Sequence, residues 1–236
     1  MAILEAVVTN AGKYAEGHLA QERLAFPTTT EEVQALLKRI GVDGVRYQEV
    51  FVTEYDSDVY GFCHCFNQYD HIDELNYLSH LLLELSPDDL QKFQAVIEYG
   101  EHNDSAGDLI NLALSLDSYE FFPGIDGEED LGRVYVEDIE AMDVPEALQK
   151  YIDYEAYGRD TSINENGCFV DGGYLRPSGE GFKEHYHSRE DIPSEYHVFA
   201  FPRLNLRERL AACKEVSDRA AEQSGKPSPT VGREER

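Results

Sequence analysis

The chain has 236 residues, of which 42% are hydrophobic, and it carries a formal net charge of −27. This composition provides a buried core and excludes a disordered acidic tail, and the shortage of Lys and Arg argues against nucleic acid or an anionic membrane as partner. It favours a basic partner, because complementary charge steers association.

The negative charge is concentrated in the middle of the chain. Residues 51–171 contain 29 acidic and 4 basic residues, whereas residues 172–236 contain 11 of each. A halophilic origin predicts acid spread evenly over the whole surface and explains this distribution poorly. Because such charge density destabilises a folded chain by self-repulsion, we expect the charge to serve a function.

The compartment is indicated by the start of the chain and by its cysteines. The first residues lack a basic segment and a long apolar run, and no stretch approaches the roughly 18 apolar residues of a membrane span. The four cysteines are Cys63, Cys65, Cys168 and Cys213. We therefore expect reduced thiols in a cytoplasmic protein.

Residues 1–60 are predicted to form an N-terminal α+β domain. Strands are expected over residues 4–9, 18–26 and 46–55, with a turn between Gly12 and Gly17. A Thr cap followed by acidic residues begins a helix after Pro27, and Gly41 ends it.

Residues 61–103 are predicted to form a helical domain. Its first helix is capped by Asp70 or Asp73, and Ser86 with Pro87 begins a second helix that ends at Gly100. A third helix, from about Ser105 to Leu116, opens the next domain. Its apolar residues face inward: Leu109, Ile110, Leu112 and Leu116.

Residues 104–176 are predicted to form a mixed α+β domain, and residues 177–236 a C-terminal extension. After the helix just described, the mixed domain is expected to contain a strand over residues 119–122, helices over 128–142 and 144–152, and a hairpin of residues 160–163 with 168–174 around Asn166-Gly167. In the extension we expect one amphipathic helix over residues 205–223 and a disordered tail. The helix has Leu206, Leu210, Cys213 and Val216 on one face, and its basic residues include Arg207, Arg209, Lys214 and Arg219, with Arg203 just before it.

No enzymatic motif is found in the chain. Phosphate-binding glycine loops, nucleophile elbows and zincin helices are missing, so we expect no catalytic residue and no cofactor. Cys63, His64, Cys65 and His71 lie close in sequence, but their spacing is not that of common zinc sites. The run that begins at Asp56 is similar to a calcium loop but lacks the acidic twelfth ligand. We expect no metal.

The acidic residues of the helices lie opposite their apolar faces, and few Lys or Arg are interspersed to form ion pairs with them. This pattern indicates a polyanionic surface. Duplex DNA carries one charge per roughly 1.7 Å, so about 25 charges match about 40 Å, or on the order of 12 base pairs. The carboxylates assigned to this surface are Asp70, Asp73, Glu74, Glu84, Asp88, Asp89, Glu98, Glu101, Asp104, Asp117, Glu120, Asp126, Glu128, Glu129, Asp130, Glu137, Asp138 and Glu140.

Several segments in a fixed order resemble the ArdA family of antirestriction proteins. They are FPTTTEEV (26–33), DELNYL (73–78), EHNDSAGDLINL (101–112), DLGRVYV (130–136), YEAYGRD (154–160) and GCFVDGGY (167–174). Together they extend over about residues 4–176, and their combination is more specific than any one of them.

The resemblance implies a DNA mimic carried by mobile genetic elements. It implies an elongated fold of three small domains in a row that forms a homodimer through the third domain. Its implied partners are the specificity and methyltransferase subunits of a type I restriction–modification enzyme, whose DNA-binding groove it occupies, blocking restriction and often modification. Leu109, Ile110, Leu112 and Leu116 are then assigned to support of the core or of the dimer. The extension after residue 176 departs from the family pattern.

Two other functions are compatible with the same residues. A general acidic binder that sequesters basic DNA-binding proteins needs the charge but a looser geometry. A metal-dependent enzyme needs the acids and histidines around residues 63–71 to hold an ion. A pull-down from a bacterial lysate separates the first alternative, and metal analysis of the purified protein separates the second.

Overall fold

The structure is a computed structural model that describes residues 2–59, 61–139, 141 and 144–224. Within these ranges the chain is mixed α and β, with helices α1–α9 and two three-stranded sheets. It divides into two compact units. The acidic unit consists of the segments up to Glu5, from Ala25 to Pro27 and from Tyr55 to His197; the terminal unit consists of Ala6–Leu24, Thr28–Glu54 and the segment from Val198. Domain boundaries at residues 60, 103 and 176 stay a prediction.

The first sheet has the strand order β2-β1-β3. It is built from β1 (Leu4–Asn10), β2 (Gln21–Phe26) and β3 (Val50–Asp56), with helix α1 (Ala11–Ala15) between the first two strands and α2 (Thr30–Ile40) before the third. The strands are confirmed, but the predicted turn after Gly12 is a helix, because the Asn10 side chain caps it by accepting from the Lys13 N–H.

Helix α2 has the predicted ends. The Thr29 hydroxyl accepts from the Glu32 N–H and the Glu32 carboxylate accepts from the Thr29 N–H, which forms a capping box. Gly41 ends the helix with a φ of 82°, a left-handed conformation that favours glycine. The buried face of the helix packs Val33 and Leu37 into the core.

Three helices follow in the acidic unit: α3 (Ile72–Glu84), α4 (Pro87–Tyr99) and α5 (Ala106–Leu114). Ser86 caps the second of them, as predicted, and Ser105 caps the third, each accepting a backbone N–H at 3.1 Å. The prediction that Asp70 or Asp73 caps α3 is wrong. His71 is the cap, and its Nδ1 accepts from the Asp73 N–H at 3.1 Å. Burial lowers the pKa of His71, which keeps this nitrogen free to accept.

The second sheet is antiparallel with the order β4-β6-β5. Its strands are β4 (Tyr119–Pro123), β5 (Cys168–Val170) and β6 (Gly173–Pro177), and the helices α6 (Glu128–Arg133), α7 (Glu146–Gln149) and α8 (Tyr154–Glu165) lie between the first two strands. A π-helical segment, Val134–Asp138, continues α6. The predicted end of that helix, Met142, lies outside the described residues.

Helix α8 replaces one strand of the predicted hairpin. Residues 160–163 are helical, and Asn166 ends the helix in a left-handed conformation with a φ of 52°. An Asn-Gly pair is favourable both in a hairpin turn and after a helix C-terminus, and here it follows the C-terminus of α8. Glycines allow α6 and α8 to pack closely, since a Cβ on Gly132 would lie 2.0 Å from the Tyr154 carbonyl oxygen.

The chain ends in two parts that belong to different units. Residues 178–197, the strap, belong to the acidic unit, and helix α9 (Leu206–Ser224) belongs to the terminal unit. The helix is confirmed within one or two residues. The predicted disordered tail lies outside the described residues.

Candidate acidic interaction surface

The carboxylates assigned to the polyanionic surface lie in the acidic unit, apart from Glu140, which is outside the described residues. Asp70, Glu74, Asp89, Glu120 and Glu128 are half-buried. Most of the others are exposed to solvent: Glu84, Asp88, Glu98, Glu101, Asp104, Asp117, Asp126, Glu129, Asp130, Glu137 and Asp138.

Many of these acids occupy the first turns of helices. Asp88 and Asp89 lie in the first turn of α4, and Glu128, Glu129 and Asp130 form the first turn of α6. Carboxylates in this position interact favourably with the unpaired N–H groups of a helix N-terminus. The same residues therefore stabilise the helices and add charge to the surface.

Few cations neutralise the surface. Lys92 lies 3.7 Å from Asp89, and Arg133 pairs with Glu129 and Glu137 at 2.8 and 3.6 Å. In the described part of the chain, nine exposed carboxylates of the predicted surface have no Lys, Arg or His within 4.0 Å. Two of them accept hydrogen bonds, Glu98 from the Asp171 N–H and Glu101 from the Tyr119 hydroxyl. The other seven are Glu84, Asp88, Asp104, Asp117, Asp126, Asp130 and Asp138. We call these seven residues the unpaired acids.

Asp73 does not belong to the surface, and its assignment there is wrong. Its side chain is 0% exposed, and the guanidinium of Arg189 lies 2.5 Å from its Oδ2. Burying a carboxylate without a partner is costly, so the ion pair explains how the charge is tolerated inside the unit. The sequence indicated Asp73 as a possible cap of α3 and as a surface acid, and nothing in the local pattern indicated its burial.

Two acids of the predicted surface, the half-buried Glu74 and the exposed Glu101, are held by hydroxyl groups. The Tyr186 hydroxyl donates to Glu74, and the Tyr119 hydroxyl donates to Glu101 at 2.6 Å. Burial, with the hydrogen bond to Glu101, raises the pKa of Tyr119, so the phenol stays protonated and remains a donor. These bonds fix carboxylate positions without neutralising their charge.

Burial also raises the pKa of Asp70, although the Asn67 N–H donates to this carboxylate at 2.9 Å. Its half-buried position therefore disfavours the charged form of this carboxyl group.

Arg176 forms a small network at the end of β6. It donates to Glu120 at 2.7 Å and pairs with Glu165 at 2.5 Å. Burial, followed by the hydrogen bond to Glu165, raises the pKa of Tyr135 to about 12. Glu120 is thus a paired carboxylate and contributes less field than the unpaired acids.

The four residues assigned to core or dimer support are all buried within the single chain. Leu109, Ile110 and Leu112 are 0% exposed, and Leu116 is 6% exposed. They pack inside the acidic unit, which agrees with a role in its core.

The strap contributes partners that the sequence did not reveal. Asn111 accepts from the backbone N–H groups of His185 and Tyr186 and donates to the Tyr186 carbonyl, all at 2.8 Å. Ser115 donates to the Lys183 carbonyl, and Asn76 donates to the Tyr196 carbonyl. The available signal was a polar residue, such as Asn76 or Asn111, on an otherwise apolar helix face.

Metal and membrane sites find no support in the part of the chain that the structure describes. No three His, Cys, Asp or Glu side chains are grouped there to hold an ion. Burial raises the pKa of Cys65 to about 11, which disfavours the thiolate form that binds metal. Of the described helices, none combines the length and apolar character that crossing a bilayer requires.

Comparison with known families gives one match. Residues 6–176 fit the family model described as antirestriction protein (ArdA). A search of curated proteins finds no match. The matched range contains every carboxylate of the predicted surface and ends just before the strap.

Proposed function

The chain belongs to the ArdA family of antirestriction proteins, and from this premise we propose that it inhibits a type I restriction–modification enzyme by imitating duplex DNA. Family membership supports an antirestriction function and an interaction with restriction enzymes in general. We add that the inhibitor acts in the cytoplasm, without catalysis, as a homodimer through residues 104–176, and that it occupies the DNA-binding groove of the specificity and methyltransferase subunits.

The observation that carries the proposal is the set of unpaired acids. They are exposed, fixed on helices and short loops of one compact unit, and without ion pairs in the described part of the chain. Ordinary acidic surfaces carry interspersed cations that form pairs along a helix. A surface without them presents its charge to a basic partner, as the phosphates of DNA do.

Binding to such a surface releases the ions held by both partners. Association is therefore expected to weaken steeply as salt rises, in the way that protein–DNA affinity does. A field made by many carboxylates also does not depend on any one of them, so a single neutralisation is expected to change inhibition by less than about threefold.

The test is to neutralise the unpaired acids together. The seven-fold variant replaces each of them with the corresponding amide, and we expect roughly a hundredfold or greater loss of inhibition in a purified restriction assay, since each exposed charge contributes about 0.5 kcal/mol. A matched control removes the same number of exposed charges elsewhere: Glu31, Glu49, Glu54, Glu180, Glu184, Glu190 and Glu195 to Gln.

The control variant should inhibit almost as well as the wild-type chain. Equal losses for the two variants would show that net charge alone acts and would favour a general acidic binder. Full inhibition by the seven-fold variant would contradict the mimicry. A pull-down from lysate supplies an independent reading, because a DNA mimic is expected to capture restriction subunits rather than many basic proteins.

A further inference from the structure

Helix α9 contacts the terminal unit through its polar face. Glu215 accepts from Arg46 at 3.0 Å, and Arg219 donates to Glu16 at 2.8 Å. Ala212, between these contacts, is 1% exposed. Ion pairs and one small buried residue therefore fix which side of the helix is turned outward.

The outward side is the apolar face that the sequence predicts. Leu206 is 76% exposed, Leu210 is 62% exposed and Val216 is 41% exposed, with Cys213 exposed among them. These positions recur every three or four residues, the spacing of a helix face that packs on another surface. An amphipathic helix that turns such a face to water has an unoccupied docking surface.

Basic residues flank this apolar face. Arg203, Arg207, Arg209 and Lys214 are exposed, and no carboxylate among the described residues lies within 4.0 Å of them. They follow the range that matches the family model, residues 6–176. We call the surface formed by Leu206, Leu210, Val216 and these four cations the α9 face.

We propose that the α9 face docks on the acidic unit of a second copy of the chain. The charges are complementary, since the α9 face has cations without ion pairs and the acidic unit has carboxylates without ion pairs. Two copies repel each other as wholes, but physiological salt screens charge beyond about 8 Å, so local pairs decide the contact. The contact is separate from the dimer proposed through residues 104–176.

A groove between α4 and β4 in the acidic unit has the chemistry that the α9 face requires. Its volume is about 410 Å³, and Asp88, Asp89 and Glu120 line it together with Tyr119, Phe121 and Phe122. Lys92 and Arg176 pair with two of the carboxylates, which leaves Asp88 for a new cation. Aromatic rings beside a carboxylate accept both leucine side chains and guanidinium groups.

Nucleic acid fits the α9 face less well. Phosphates would pair with its cations but not with its exposed leucines, and the rest of the chain carries a net charge that repels DNA. An acidic groove lined in part by aromatic side chains satisfies both halves of the α9 face.

The first test uses the full wild-type chain. Equal amounts of ¹⁴N- and ¹⁵N-labelled protein are mixed and treated with a carbodiimide, which joins amines to carboxylates in direct contact. Links between Lys214 of one copy and Asp88, or its neighbours in the groove, of the other copy are expected. If Lys214 forms links only within one copy, or none with the acidic unit, the proposal is overturned.

The second test measures self-association by analytical ultracentrifugation at low and high salt. The variant R207E/R209E/K214E reverses three cations of the α9 face. Its dissociation constant for self-association is expected to be roughly tenfold larger than that of a control with equal net charge. The control, K38E/K150E/K183E, reverses exposed cations away from the α9 face. Replacement of the leucines, L206S/L210S, is expected to weaken it without changing its salt dependence.

Exchanging the charges between the α9 face and the groove tests whether self-association can be restored. The D88K variant should associate weakly with itself and regain association when mixed with R207E/R209E/K214E. Equal dissociation constants for the triple variant and its control would contradict the proposal. The proposal would also be contradicted if the wild-type chain did not self-associate through the α9 face but bound a duplex DNA probe through the same cations.

Discussion

The two units of the molecule differ in how far their acidic residues are paired with cations. In the terminal unit, several acids are matched by nearby cations, as Glu22 is by Arg39 at 2.7 Å and Asp43 by Arg46 at 2.7 Å. In the acidic unit, the unpaired acids have no such partner within the described residues. Ion pairs at a surface add little stability, so the difference concerns interaction with other molecules more than folding.

The acidic unit also contains a buried ion pair, between Arg189 and Asp73. Removing the cation of this pair is expected to give the largest effect. The Arg189→Ala variant leaves the carboxylate of Asp73 buried without its cation, which should lower the free energy of unfolding by about 3 kcal/mol. Urea unfolding at neutral pH measures this change. It would also show that the strap is part of the acidic unit's fold.

Arg159→Ala provides the control for this variant. Arg159 pairs with Glu128 and Glu155 at 2.9 and 3.0 Å, but all three side chains are partly exposed to solvent. Its removal should change the free energy of unfolding by less than about 1 kcal/mol. If both variants lose the same stability, burial does not distinguish the Asp73 pair from a surface pair, and our interpretation of the strap is wrong.

Local signals in the sequence predicted much of the fold. Ser86 was identified as a helix cap because a cap depends on residues three positions apart. The burial of Asp73 was missed because its partner, Arg189, is 116 residues away and joins it only in the folded chain. Asn166 was misread because a left-handed residue suits two different structures. Sequence therefore predicts local geometry well and long-range pairing poorly.

For the candidate surface as well, the sequence predicted local features and missed long-range pairing. Composition and charge counts found the unpaired acids, since the shortage of nearby Lys and Arg can be read directly from the chain. They did not separate these acids from Glu120, whose partner Arg176 lies 56 residues away, across a pair of strands. The outward direction of the α9 face also depends on ion pairs with the terminal unit, which no helical pattern encodes.

An intermediate effect is expected from the paired charge of the terminal unit. Burial raises the pKa of Asp43, but Arg46 and the backbone N–H groups of Val45, Arg46 and Tyr47 outweigh it, so the net pKa is lowered. A carboxyl group with a lowered folded-state pKa contributes stability above its unfolded pKa of about 3.9, and loses it as pH falls through the folded value.

Asp43→Asn should therefore cost about 1.5 kcal/mol at pH 7, the value of a hydrogen bond to a charged group. The gap between wild type and variant should close below about pH 4, as the wild-type carboxyl becomes protonated. Urea unfolding at a series of pH values measures it. A gap that stays constant down to pH 2 would show that Asp43 contributes as a neutral acceptor, and that the terminal unit does not depend on this pair.

The smallest effect, and the sharpest contrast, concerns the unpaired acids of the acidic unit. Glu84 lies in the last turn of α3, where the helix C-terminus disfavours negative charge, whereas Asp88 lies in the first turn of α4, where the helix N-terminus favours it. Glu84→Gln should raise the free energy of unfolding by about 0.5 kcal/mol at low salt, and Asp88→Asn should lower it by a similar amount. Both variants remove one exposed charge, so the change in net charge is the same for the two.

High salt should reduce both changes in the free energy of unfolding, because the helix-end interaction is screened. If Glu84→Gln instead destabilises the chain, the carboxylate of Glu84 has a structural role. That result would contradict the interpretation that this charge is kept for binding at a cost in stability.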